Sequence, residues 1–92
     1  MLTLEDCIAL SGLTEAEIDA IAEHEHLPEI LAAELGFYLV QDDKGVPRLK
    51  RMILEDIEAA ERKGNERHAE KLRRVLRHFI RTHPGRKSDS AA

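Results

Sequence analysis

The chain has 92 residues, a length that allows one small domain and leaves no room for a second core. Charged residues make up 35% and aromatics 3%, while twelve Leu, seven Ile and eleven Ala supply most of the apolar side chains. That balance argues against both a disordered chain and a strand-rich one. The net charge of −4 hides a strong polarity. Residues 1–46 hold eleven acidic side chains and one base, Lys44, for a net −10; residues 47–92 hold thirteen bases and seven acids, for a net +6. An acidic front and a basic back bear on association and repulsion rather than on chemistry.

The first predicted helix runs from Leu4 to about Leu10, capped by Thr3 with Asp6 as its capping-box partner and with Leu4, Cys7 and Ile8 on one face. Gly12 stops it in a left-handed conformation and carries Leu13 over Ile8. Thr14 and Glu17 then form a second capping box, and Leu13 meets Ile18 as a hydrophobic staple. A single leucine thus pins the corner between two helices. The second helix spans Glu15 to about Glu25 with Ile18, Ile21 and Ala22 inward.

Pro28 opens a third helix that carries Leu31, Leu35, Tyr38 and Leu39 and reaches about Val40. Gly36 weakens this helix by about 1 kcal/mol relative to Ala, so an extended Phe37–Val40 is the competing reading. A turn over residues 41–45 leads to a fourth helix opened by Pro47, with Leu49, Met52, Ile53, Ile57 and Ala60 inward as far as Lys63. Gly64 and Asn65 are a stop and a cap. The fifth helix has a stripe of Ala69, Leu72, Leu76, Phe79 and Ile80, with Val75 beside it. So short a junction predicts an antiparallel hairpin of the last two helices. The expected architecture is all-α: three short helices on that hairpin, a single domain over residues 1–84, and a flexible polar tail over residues 85–92.

The chemical signals are weak by comparison. A lone Cys7 closes no intramolecular disulfide and reads as a small buried hydrophobe. No basic leader with an apolar core opens the chain and no apolar run approaches the roughly 18 residues of a membrane span, so a soluble cytoplasmic protein is expected. The first two helices and their Ser-Gly-Leu-Thr turn have helix-turn-helix lengths. The second, however, carries five carboxylates and no Lys or Arg, and phosphate would repel it. His24, His26 and Glu29 suggest a metal site, but helical positions two apart point about 200° from each other. No pair of carboxylates, activated serine or glycine-rich phosphate loop stands out. No enzyme activity, cofactor or metal is expected.

The candidate partner-binding residues are the bases of the fifth helix, Arg67, Lys71, Arg73, Arg74, Arg77 and Arg81, with His68, His78 and His83 adding charge when protonated. Their simplest role is a solvated face that also pairs with the acidic half. Beyond that, an acidic protein partner is favoured over nucleic acid, because no aromatic on that face could stack a base. Phe37, Tyr38, Leu39 and Val40 crowd several faces of one turn and are the candidate contact of a homodimer. A small non-enzymatic interaction or regulatory (adaptor) module is the expected class of function, with nucleic-acid binding by the fifth helix as the alternative.

The stretches TEAEIDAIAEHEHLPEILAAELG (residues 14–36), GVPRLKRMILEDIEAAERKG (residues 45–64) and LRHFIRTHP (residues 76–84) resemble a family of short, uncharacterised bacterial proteins. The resemblance covers residues 3–84. It implies a free-standing helical domain and brings no activity, ligand or site residue with it.

Overall fold

A computed structural model describes residues 3–83, the side chains of Leu4 and Cys7 excepted. The expected inward placing of those two side chains and the expected tail over residues 85–92 lie outside the described residues. Five helices follow one another: α1 (Leu4–Ser11), α2 (Glu15–Glu25), α3 (Glu29–Val40), α4 (Gly45–Arg62) and α5 (Glu66–Thr82). No strand occurs among the described residues, so the chain is all-α.

The two N-terminal caps form as their local chemistry dictates. Thr3 accepts from the Asp6 N–H at 3.1 Å while Asp6 accepts from the Thr3 N–H at 3.3 Å. Thr14 and Glu17 repeat the exchange at 3.1 and 2.9 Å. Each exchange satisfies two N–H groups that a helix start otherwise leaves without partners. Between them Gly12 sits at φ 73°, and the buried Ser11 hydroxyl accepts from the Leu13 N–H at 3.0 Å. The corner is therefore held by backbone as well as by Leu13, which is buried in one core cluster with Ile18 while Ile8 packs against it.

α2 is the central element and packs on α3, α4 and α5. α4 and α5 share the most extensive helix–helix contact, across the three-residue junction 63–65, and α1 packs mainly on α3 rather than on α4 or α5. The core cluster draws Leu13, Ile18 and Ile21 together with Leu39, Leu49, Ile53, Leu72 and Phe79. All five apolar residues expected inward on α4 are buried. On α5 the buried face is Ala69, Leu72, Val75 and Phe79; Leu76 is half-buried and Ile80 exposed. The core-facing stripe is rotated toward Val75 because α2 as well as α4 packs on this helix.

α3 continues as a helix through Phe37–Val40, and Gly36 explains how. A Cβ at position 36 would come within 2.7 Å of Leu13 Cδ1 and 3.0 Å of Ile21 Cδ1. The residue that costs helix propensity is the one that lets the corner and α2 approach α3. Two prolines sit one or two places from their expected positions. Pro28 is the cap rather than the first residue of α3, and its carbonyl accepts from the Ala32 N–H at 3.0 Å. Pro47 is the third residue of α4, where a proline is tolerated because first-turn N–H groups have no intrahelical partner. The helix begins at Gly45, which lies so close to α3 that a Cβ would collide with the Leu39 carbonyl oxygen.

Leu13→Ala is expected to cost about 2–4 kcal/mol, the range for emptying a buried leucine site. Gly36→Ala is expected to destabilise the wild type, yet to be tolerated in the Leu13→Ala background, where its methyl enters the vacated space. Urea unfolding of the two single variants and the double variant measures this, and a coupling energy of about 1 kcal/mol or more is expected for residues in contact.

Candidate functional site

Three surfaces carry the polar and exposed apolar groups that could act on other molecules. The first is the junction of α2 with α4 and α5. Glu17 is 1% exposed, and its two oxygens are fully assigned: Oε1 accepts from the Thr14 N–H, and Oε2 lies 2.8 Å from His78 Nδ1 on α5. The core it borders, with Leu13, Ile21, Leu49, Ile53 and Phe79, has no space that a water-sized sphere can enter. These two partners therefore carry the whole burden of satisfying a buried carboxylate. Further along α2, Glu23 pairs with His68 Nε2 of α5 at 2.8 and 3.0 Å, and His24 pairs with Glu55 of α4 at 2.6 Å and with Glu25 at 2.9 Å. Asp56 of α4 is buried behind them. At the last turn of α5, His83 stacks on Phe79 with ring centroids 5.0 Å apart and donates from Nε2 to the Ser11 carbonyl at 3.1 Å.

At α2 the acidic front and basic back are thus joined by imidazoles, and among the described residues none of the α5 Lys and Arg side chains pairs with the front half. Arg73, one of the candidate partner-binding residues, instead pairs with Glu61, Glu66 and Glu70, all from the basic half itself. These three carboxylates raise its already high pKa further and fix it as a structural cation at the α4–α5 seam.

The second surface is the solvent face of α5. Arg67, Lys71, Arg74, Arg77 and Arg81 are exposed, and among the described residues none of them forms an ion pair with another side chain. At 1.5 Å per residue they span roughly 20 Å of one helix face. Five of the six candidate bases thus share one exposed face, and Arg73 lies apart from them at the α4–α5 seam.

The third surface is the outer face of α3. Of the four candidate dimer-contact residues, Leu39 is buried, Phe37 and Val40 pack against the core, and Tyr38 alone stands out, at 75% exposure. Beside it on the same outer face stand Ile30 and Leu31, both exposed, and Leu10 of the neighbouring α1 is 63% exposed. A helix apolar on every face is normally buried on every face. No Lys or Arg occurs anywhere in residues 1–43.

His26 is the left-handed cap of α2 at φ 57° and is exposed, and no group of three His, Cys, Asp or Glu among the described residues is arranged to hold a metal ion. A shallow groove of about 480 Å³ along Pro47, Arg51, Leu54 and Glu58 is built from one helix face and faces solvent. α2, the helix that would have to enter a DNA groove, exposes only acidic side chains, Glu15, Asp19, Glu23 and Glu25, which phosphate would repel. No described helix is long and apolar enough to cross a membrane. No family model, curated protein or solved structure matches the chain, so a functional reading rests on its own residues.

Glu17→Ala is expected to cost about 2–3 kcal/mol, because it removes a cap acceptor and strands both the Thr14 N–H and His78. Glu17→Gln keeps the acceptor for Thr14 and should cost about 1 kcal/mol, the worth of one hydrogen bond. Equal losses for the two variants in urea unfolding at neutral pH would mean that the Thr14 contact contributes nothing.

Proposed function

We propose that this protein is a small, non-enzymatic, cytoplasmic interaction module of the adaptor type, and that it holds a cationic amphipathic helix of a partner protein on the outer face of α3. One observation carries the reading: Ile30, Leu31 and Tyr38 stand exposed together on α3, within a stretch that has eleven carboxylates before its first Lys or Arg. Apolar side chains of this size supply the affinity of a helix-in-groove contact, and the surrounding charge selects the sign of the partner and speeds encounter. A second copy of the chain is less well suited to the same face. Two α3 faces brought together would oppose one net −10 segment to another.

The exposed stripe Arg67, Lys71, Arg74, Arg77 and Arg81, which forms no ion pair among the described residues, supports a second reading, an anionic partner along α5. An acidic protein fits it better than nucleic acid, since single strands gain much of their affinity from aromatic stacking and the nearest aromatic, Phe79, is buried.

Amide chemical-shift mapping with a synthetic helical peptide of Leu and Lys, beside a control of Leu and Glu, is the test. The cationic peptide is expected to perturb residues 30–38 and the end of α1, and Leu31→Glu with Tyr38→Ser should abolish the effect. Perturbation by the anionic peptide, centred on residues 67–81, would move the site to α5. Sedimentation as a dimer at tens of micromolar, lost in the same double variant, would assign the face to a second copy.

A further inference from the structure

Asp56 lies where α2, α4 and α5 meet, and it is 6% exposed, with no hydrogen-bond partner for Oδ2 among the described residues. The charged groups that face it come from all three helices: Glu23 and His24 from α2, His68 from α5 and Glu55 from its own helix. These same groups make the cross-helix pairs. His24 reaches Glu55 at 2.6 Å and ties α2 to α4, while His68 reaches Glu23 at 2.8 Å and ties α5 to α2. A buried carboxyl group thus sits between two imidazole–carboxylate clasps.

We propose that this junction is a proton-operated latch, which holds α2 against α4 and α5 while Asp56 is neutral and His24 is charged, and slackens as those protons leave. Ionised Asp56, itself buried, adds a third negative charge beside Glu23 and Glu55, and a deprotonated His24 no longer offsets it. Burial, and then the neighbouring charge of Glu23, push the Asp56 carboxyl up to about 6, against the pull of His24 and His68. Burial works against the charge on His24, but hydrogen bonds from Glu55 and Glu25, with Asp56 close by, outweigh it and the net displacement is upward.

Both groups hold their protons more tightly in the folded chain than in the unfolded one. The stabilisation each contributes is complete below its unfolded value, 3.8 for Asp56 and 6.5 for His24, and is lost as pH rises through the folded value, about 6 for Asp56. The latch therefore loosens from mildly acidic toward alkaline pH.

The test uses the full chain. A ¹³C titration of the Asp56 carboxyl is expected to show a midpoint near 6 that falls in Glu23→Gln and rises in His68→Gln. In urea unfolding, the folding constant of Asp56→Asn divided by that of the wild type should grow roughly three- to ten-fold between pH 5 and 7.5. That ratio is insensitive to any constant packing cost of the amide. Hydrogen-exchange protection of α2 should drop over the same range by more than that of α4 and α5, and Asp56→Asn should remove the difference. A midpoint at the ordinary carboxylate value, a ratio that does not change with pH, or protection lost equally from all three helices would each overturn the latch.

Discussion

The distance between α3 and the corner that precedes α2 governs the rest of this structure. It is set by an absent side chain: Gly36 leaves room for Leu13 Cδ1 and Ile21 Cδ1, where a methyl group would be too close. Because Leu13 sits directly between Gly12 and the Thr14 cap, the seating of that one residue also fixes the direction in which α2 departs. α2 in turn offers Ile18 and Ile21 to the core and its carboxylates to α5. A small domain has little apolar surface to spare, and one close approach that aligns three helices does work that a larger core would spread over many contacts.

The polar contacts around α2 follow from the same closeness. Pressed between three helices, α2 cannot keep all its acidic groups in water, and Glu17 is drawn fully inside. It is tolerated there because the cap and His78 consume both oxygens. Asp56 is buried on the facing helix without that full provision. The contrast between two buried carboxylates, one fully hydrogen-bonded and one not, separates a structural role from a responsive one. It also explains why imidazoles, rather than the abundant arginines, bridge the acidic and basic halves. A ring of modest size fits at a tight seam, whereas long cationic side chains extend into solvent along the outside of α5.

Local rules made much of the fold readable from the sequence. Both capping boxes, the bounds of α2 and the inward face of α4 depend on residues three or four apart, and they stand where the spacing puts them. Features set by tertiary approach were less legible. Local signals put the start of α4 at Pro47, whereas the fit of Gly45 beneath the Leu39 carbonyl places it two residues earlier. Spacing alone puts Ile80 in the core stripe, but that stripe turns toward Val75 because α5 answers to two neighbours. Glu17 reads as a capping residue in sequence; its second bond, to a histidine 61 positions away, leaves no local trace. On the candidate surfaces, the basic stripe was evident from composition alone. The exposure of Ile30, Leu31 and Tyr38 was not, because apolar spacing in α3 gives no single preferred face.

The bond between Glu17 and His78 has a consequence for the order in which the chain is made. Of the residues around Glu17, Leu13, Ile21, Leu49 and Ile53 are present once α4 has been synthesised, whereas Phe79 and the second hydrogen-bond partner come only with α5. The imidazole that completes the carboxylate arrives 61 residues later, and His83, which closes on Ser11, arrives 72 residues after its acceptor. At roughly 5–20 residues per second, the first of those gaps amounts to several seconds on the ribosome. During that interval the N-terminal helices form an acidic, apolar-faced nascent segment whose interior carboxylate lacks its second partner. Such a segment gains little by collapsing early, and its own charge holds neighbouring nascent chains apart until the last helix emerges to complete the core.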